Sequence, residues 1–233
     1  MIPITLIVIV GLVASLVTAV AIARNRRERR TLAESVRALG LEYLPKPTDK
    51  DFLKDWSAAV PELAESGKVE HVLFGLFRGT ANVEPAPVTA LRHEHVVSTG
   101  SSPIVITTWV FSADAPAWPG VCLKPRNALA RRLLAPRELT GEHEFDRAWR
   151  LASGDRAFAQ AMLKHPVRTV LMEQLTDPAR RWRPAAWRVA QDKVCLVVRS
   201  KMNADQVRTA LLDVTSVRRG VAGDETEPTT PHP

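Results

Sequence analysis

Cysteine is nearly absent from this chain of 233 residues, which contains only Cys122 and Cys195. Two distant cysteines provide neither the paired spacing of a zinc site nor the framework of a disulfide-rich secreted domain. Both stand in apolar, strand-like surroundings, where a free thiol packs as a small hydrophobic group. We therefore predict two buried, reduced cysteines with a structural role.

The common catalytic motifs are lacking as well. The sequence contains no G-x-x-x-x-G-K-[ST] phosphate loop and no G-x-G-x-x-G after a strand. Ser101 and Ser102 stand in STGSSP, which is not the G-x-S-x-G elbow of a hydrolase. These absences disfavour the common nucleotide-dependent classes without excluding an enzyme, and we predict no bound cofactor.

Charge is missing from residues 2–23, IPITLIVIVGLVASLVTAVAIA. These 22 residues form a helix of about 33 Å, which suffices for a hydrocarbon core of about 30 Å. A cleaved signal peptide is the main alternative, and Ala19, Ala21 and Ala23 mimic a cleavage site. Signal peptides carry basic residues before a shorter apolar run, however, and no basic residue precedes this one. We predict an uncleaved transmembrane helix over residues 1–23.

A basic segment, which we call the collar, follows the apolar run directly. It contains Arg24, Arg26, Arg27, Arg29 and Arg30, which with Glu28 give a net charge of +4. Basic residues next to a span stay on the cytoplasmic side. We therefore expect a single-pass protein of the cell membrane, with its N-terminus outside the cell and the rest of the chain in the cytoplasm. The partners expected for the collar are anionic lipid headgroups, each arginine contributing about 1 kcal/mol.

Small residues recur at four-residue spacing within the apolar run, at Gly11, Ser15, Ala19 and Ala23. On a helix they form a narrow ridge that permits close approach of a second helix. The ridge predicts helix packing in the membrane, either with another membrane protein or between two copies of this chain.

The remaining sequence predicts a juxtamembrane helix within residues 24–40 and a cytoplasmic α+β domain over 41–220. The domain has a possible division near 125–140, and the polar, proline-rich tail 221–233 is predicted to be disordered. Apolar and β-branched runs predict strands over 41–44, 71–77, 88–97, 103–111, 120–123, 145–151, 182–189 and 194–198. The run IVITTWVF (104–111) predicts a central strand buried on both faces.

Helices are predicted over 129–134, after Asp155, from Pro166, and from a cap at Asn203 to Gly220. Together these elements predict a mainly antiparallel sheet with helices packed on one face.

The order of features resembles a loosely defined family of bacterial single-span membrane proteins with a cytoplasmic α+β domain. The resemblance rests on LGLEYLP (39–45), GTANV (79–83), FDRAWRLASGD (145–155) and the closing hairpin and helix. It implies the topology and fold class given above. It implies no activity and no functional residues, because the family has no established activity.

His93 and His95 flank Glu94 in LRHEHVV, and residues two apart on a strand point to the same side. Both imidazoles could reach one metal ion, with His71 or His143 as a third ligand. The alternative, which we favour, is an exposed, polar face of an antiparallel strand, because a two-histidine pair is incomplete as a zinc site.

The stretch RRWRPAAWR (180–188) interleaves arginines with Trp182 and Trp187. Such a pattern can stack on nucleic acid or lie at a lipid interface. We favour a hairpin strand whose tryptophans pack inward, and among the functional alternatives we rank membrane contact above nucleic acid.

The sequence thus favours a membrane-anchored, non-catalytic interaction module, either an assembly factor or an accessory subunit of a membrane complex. The alternatives are a membrane-anchored metal-dependent enzyme that uses His93 and His95, and a nucleic-acid-binding protein.

Overall fold

The computed structural model describes residues 4–47, 56, 59–63, 67–79, 84–99, 102–133, 139–190 and 192–223. Among these residues, eight strands form one sheet in the order β1-β2-β3-β4-β8-β7-β5-β6. The strands are β1 (Glu42–Leu44), β2 (Lys68–Phe77), β3 (Ala86–Thr99), β4 (Ser102–Asp114), β5 (Val121–Pro125), β6 (Trp149–Gly154), β7 (Pro184–Ala190) and β8 (Lys193–Val198).

Every pairing between these strands is antiparallel, which confirms the predicted α+β class. The helices are α1 (Ile4–Ala38), α2 (Ala128–Leu133), α3 (His143–Ala148), α4 (Arg156–Met162), α5 (His165–Thr176) and α6 (Ala204–Ala222). Strands from both sides of residues 125–140 pair in this one sheet.

Helix α1 joins the apolar run, the collar and the juxtamembrane segment in 35 consecutive helical residues. It ends where Gly40 adopts a φ of +76°, and the amide of Leu41 donates to the carbonyl of Val36, as in a common glycine-dependent helix stop. Leu32 and Val36 are buried in the core of the domain. No helix in the described part of the chain is both long enough and apolar enough to cross a membrane.

Alternate side chains of the strands enter two separate apolar clusters, one on each face of the sheet. The larger cluster joins Trp109 and Phe111 of β4 to the helices, including Leu171 of α5 and Leu211 of α6. The smaller cluster contains Val110 of β4 and is covered by residue 56 and residues 59–63, with Trp56, Val60 and Leu63 buried. The sequence also predicts that Asp51 caps a helix through DFLKDWSAAV (51–60), and this cap lies outside the described residues.

The prediction of a strand over residues 145–151 is wrong. Residues His143–Ala148 form α3, and β6 begins only at Trp149. The alternation of apolar residues in FDRAWRL also fits helical spacing, since Phe145 and Trp149 are four residues apart and their ring centroids stack 6.4 Å apart. Asp146 is buried and accepts hydrogen bonds from the amides of residues 139–141, which fixes the loop before α3.

The last helix is also longer than predicted, because Gly220 does not end it. Helix α6 continues to Ala222 and ends with Gly223 at a φ of +78°. A Cβ built on Gly220 would be 2.7 Å from Cγ2 of Val167, so this glycine permits close packing of α6 on α5. The predicted cap at Asn203 is confirmed, with a reciprocal pair of hydrogen bonds to Gln206. Residues 224–233 of the predicted disordered tail lie outside the described residues.

Candidate interaction site at the ribbon end of the sheet

The hairpin of β3 and β4 extends beyond its neighbouring strands. Strand β2 pairs with β3 only as far as Glu94, and β8 pairs with β4 only from Trp109 onward. Beyond these points β3 and β4 pair only with each other, to the last pair Thr99 and Ser102. We call residues 96–99 and 102–105 the ribbon.

The ribbon carries exposed apolar side chains on both faces. Val96 lies opposite Val105, and Val97 lies opposite Ile104. The exposed fractions of Val96, Val105 and Ile104 are 62%, 58% and 51%. The prediction that IVITTWVF is buried on both faces is therefore wrong for its first two residues, because the flanking strands end before they reach them.

Helix α1 runs alongside β2 in the same direction, so its apolar half projects toward the ribbon end. Arg29 contacts Glu70 near the start of β2, and Leu41, just past the helix, lies against Gly75. In the strand register, Glu70 of β2 lies opposite Arg92 of β3. Val96 is four residues further along β3, which corresponds to about 13 Å of strand. About nine helical residues cover the same distance, so for a helix axis parallel to β2 the ribbon begins roughly level with Val20.

The described side chains in the apolar half of α1 are not covered by the domain. Every residue from Ser15 to Arg24 is exposed. The large apolar side chains Leu16, Val17 and Val20 are 65%, 62% and 60% exposed. The ribbon and α1 thus present exposed apolar surface at the same end of the molecule, a combination typical of an interaction surface or a membrane-contacting surface.

The predicted ridge and collar both lie on α1. Ser15, Ala19 and Ala23 of the ridge are exposed, and Gly11 belongs to the same helix. In the collar, Arg24, Arg26, Arg27 and Arg30 are exposed, and Arg24 pairs with Glu28 at 3.2 Å. Arg29 differs, because it turns to the domain and its Nη2 lies 3.4 Å from Oε1 of Glu70.

Glu70 is the centre of a charged cluster that connects α1 to the sheet. It is only 4% exposed, and Nζ of Lys68 lies 3.1 Å from its Oε1. Burial alone would raise the pKa of Glu70, but the hydrogen bond and charge of Lys68, with the charges of Arg29 and Arg92, outweigh burial and lower it. Glu94 next to it pairs with Arg92 and Lys68. Through Arg29, this cluster joins α1 to β2.

His71 lies beside this cluster in an unusual backbone conformation, with a φ of +55°. Its Nδ1 is hydrogen-bonded to Oη of Tyr43 at 2.6 Å, and its ring stacks on Trp109 with 6.3 Å between centroids. Burial, followed by the charge of Arg92, lowers the pKa of His71 to about 4. The imidazole is therefore neutral in the folded protein at pH 7.

Acidification is expected to destabilise the protein through His71. The unfolded chain gains a proton on this residue near its ordinary pKa of about 6.5, whereas the folded chain gains it only near pH 4. The His71 contribution is therefore fully present above pH 6.5 and is lost as the pH falls toward 4, by up to about 2 kcal/mol after allowance for solvent screening. Urea unfolding of the detergent-solubilised full chain, followed by tryptophan fluorescence across this pH range, measures the loss.

The variant His71→Asn isolates this contribution, because asparagine tolerates a positive φ and does not titrate. Its stability is expected to fall less than that of the parent between pH 6.5 and 4. The exposed His143 provides the matched control, His143→Asn. An equal pH dependence in the parent and in His71→Asn contradicts the assignment.

The histidine pair proposed as a metal site is buried on the other face of the sheet. His93 and His95 are 1% and 8% exposed, with stacked rings 5.5 Å apart, so the predicted polar, exposed strand face is wrong. A Cβ built on Gly67 would be 2.4 Å from Nε2 of His93, so the backbone of this glycine covers the ring. Among the described residues, no group of three or more His, Cys, Asp or Glu side chains is placed to hold a metal ion.

The two histidines proposed as third ligands are placed elsewhere. His71 lies on the helix side of the sheet, against Trp109, whereas His93 shares the opposite face with Leu91. His143 is exposed at the start of α3.

Both tryptophans of residues 180–188 pack inward, at 3% and 2% exposure for Trp182 and Trp187. Nε1 of Trp187 donates to Oε1 of Gln174 at 2.8 Å, and Nε2 of Gln174 donates to Oδ2 of Asp213 at 2.8 Å. Arg180 pairs with the same carboxylate and lies over the ring of Trp182 at 5.3 Å. We call these five residues the α5–α6 network. Because their faces are covered, the tryptophans are not available for stacking on bases.

The two cysteines are buried, as predicted. Burial raises the pKa of Cys195 to about 12. A thiol in this state is a weak nucleophile, which agrees with a structural role.

Comparisons with known proteins concern the fold. No protein-family model and no curated protein sequence matches the chain. Among solved structures, the fold is similar to the crystal structure of the mycobacterial trehalose monomycolate transport factor A, TtfA, with a TM-score of 0.53. The similarity covers 84% of this chain and 95% of that chain at 14% sequence identity. At this identity the likeness establishes a shared fold and nothing more.

Proposed function

We propose that the protein is a membrane-anchored, non-catalytic interaction module, serving as an assembly factor or accessory subunit of a membrane protein complex. The observation that carries the proposal is the position of the ribbon. Its exposed Val96, Ile104 and Val105 lie at the same end of the molecule as the apolar half of α1, so a membrane protein bound at this end would contact both.

In the proposed arrangement residues 2–23 cross the bilayer, with the N-terminus outside and the α+β domain in the cytoplasm. The uncharged run and the collar behind it support this topology. So do the side chains of residues 15–24, which the domain leaves exposed on every side of the helix. The exposed arginines of the collar would contact anionic headgroups.

A membrane protein is a better partner for the ribbon than lipid alone. The apolar pairs lead into polar residues, Ser98, Thr99 and Ser102, at the end of the hairpin. Their hydroxyls and backbone groups are costly to bury in hydrocarbon without hydrogen bonds. A partner protein can cover the valines and also satisfy these groups. The shared fold with a protein described as a transport factor supports an accessory role.

The test is site-specific photo-cross-linking in native membranes with the full chain. A cross-linker at Val96 is expected to capture a discrete membrane protein, whereas one at the exposed Ala161 of α4 is not. The double variant Val96→Lys and Val105→Lys is expected to reduce the yield of the complex by about tenfold or more, since each valine loses its apolar burial.

The matched control, Gln160→Lys with Ala161→Lys, adds the same charge at exposed positions of α4 and is expected to leave the yield unchanged. Adducts with lipid only, or equal capture from Val96 and Ala161, would show that the ribbon does not bind a protein partner. Extraction of the chain by alkaline carbonate would separately contradict the proposed anchor.

A further inference from the structure

A surface cavity of about 570 Å³ lies where the ends of β5 and β7 meet α2, α3 and α5. Its size is within the range of about 300–1,000 Å³ for small-molecule sites. Four arginines line it, Arg126, Arg131, Arg147 and Arg183. No aspartate or glutamate is among its described lining residues.

The four guanidinium groups are held in place by backbone carbonyls rather than by carboxylates. Nε of Arg147 donates to the carbonyl of Arg131 at 2.9 Å, and Nε of Arg131 donates to the carbonyl of Arg126 at 2.9 Å. Nε of Arg126 donates in turn to the carbonyl of Trp149 at 3.3 Å. This series of bonds fixes three side chains through Nε and leaves their terminal nitrogens without a hydrogen bond to any described residue. Arg183 differs, because its Nη1 donates to the carbonyls of Arg180 and Trp182.

Within the part of the domain that the structure describes, the cavity arginines differ from other arginines in having no acidic partner. Arg29, Arg92, Arg168 and Arg180 each pair with a carboxylate. Within the described residues, none of the four cavity arginines has a carboxylate oxygen within 4.0 Å. Arg126 is only 8% exposed, and a buried charge is costly unless it is paired.

We infer that this cavity binds a phosphate-bearing ligand with at least two negative charges. Arginine recognises phosphate through two parallel hydrogen bonds from its planar group, and a polyanion would relieve the mutual repulsion of four like charges. Leu175, Pro125 and Pro184 supply an apolar wall for an organic portion of the ligand. Both a soluble phosphorylated metabolite and the headgroup of a phospholipid satisfy this chemistry.

Calorimetric titration of the full chain in uncharged detergent tests the site with two probes, inorganic pyrophosphate and dihexanoyl phosphatidic acid. The variant Arg147→Gln with Arg183→Gln removes two exposed charges and leaves the buried Arg126 in place, which protects folding. It is expected to bind about tenfold more weakly or worse, given the strength of charged hydrogen bonds. Arg208→Gln, at an exposed position of α6 outside the cavity, is the matched control and should bind as the parent does.

Binding of both probes that is weakened only in the double variant supports a site for soluble phosphate compounds. Binding of the lipid probe alone, with the same loss, supports a headgroup site. The inference is overturned if neither probe binds, or if the double variant and Arg208→Gln bind as well as the parent. Circular dichroism of each variant at the titration temperature confirms that the comparison is between folded proteins.

Discussion

Replacement of Asp213 by alanine is expected to destabilise the domain by about 3–5 kcal/mol, the range for removing one partner of a buried ion pair. Asp213 is 7% exposed and accepts hydrogen bonds from Arg180 and from Gln174. Its removal leaves the Arg180 charge without its buried partner. It also releases Gln174, which in turn orients the indole of Trp187. Chemical unfolding of the purified full chain measures the loss.

Two further variants distinguish the effect of disrupting the α5–α6 network from the effect of removing a carboxylate side chain. Asp213→Asn keeps the shape and one acceptor oxygen but removes the charge, so an intermediate loss of stability is expected. Asp205→Ala removes an exposed carboxylate in the first turn of the same helix, and should cost about 1 kcal/mol or less. If Asp213→Ala were no more harmful than Asp205→Ala, the α5–α6 network would not stabilise the domain.

The variant Gly154→Ala is expected to have an effect of similar size, about 3–5 kcal/mol, from backbone strain together with overpacking. Gly154 ends β6 with a φ of +105°. A Cβ at this position would be 2.0 Å from the carbonyl oxygen of Gly120 and 2.7 Å from Cα of Val121. Both neighbours belong to the backbone of the paired segment, so no side-chain rotation relieves the clash.

Gly141→Ala is the matched control for this substitution. Gly141 also has a positive φ, +79°, but no atom lies within 4 Å of a Cβ built there. Only the backbone conformation opposes alanine at this site, at a cost of about 1–2 kcal/mol. The difference between the two variants in urea unfolding measures the steric contact, and equal losses would show that β6 can move away from Gly120.

Most strands could be predicted because their signals are local. Alternation of apolar residues and the turn residues around them identified β2, β3, β4, β7 and β8, with ends displaced by a few residues. Residues 145–151 were assigned wrongly because Phe145 and Trp149 satisfy helical and strand spacing equally well. Within so short a segment, only the contacts of α3 with the rest of the domain decide between the two.

The exposure of the ribbon could not be predicted, because it depends on the lengths of other strands. Ile104 and Val105 belong to an apolar run that is typical of a buried strand. They are exposed because β2 begins at Lys68 and β8 ends at Val198, and each therefore stops short of them. The sequence of residues 104–111 contains no information about where β2 begins or where β8 ends.

The arginine cavity was missed for a similar reason. Its four arginines come from separate places in the sequence, after β5, within α2, within α3 and before β7. Short windows of sequence reveal clusters such as the collar or residues 180–188. They do not reveal that Arg126 and Arg183, which are far apart in the sequence, lie close together in the fold. The sequence signal for a basic site was indirect: the domain keeps a net positive charge when the charges of the collar are excluded.

The continuity of α1 has a mechanical consequence for the proposed topology. No glycine or proline interrupts residues 12–38, while Leu32 and Val36 are fixed in the core and Arg29 is held by Glu70. In the proposed topology the transmembrane segment is therefore joined to the domain by continuous helix, without a flexible hinge. Rotation or tilting of α1 within the bilayer would therefore exert a torque on the whole sheet, and a force on the sheet would in turn act on α1.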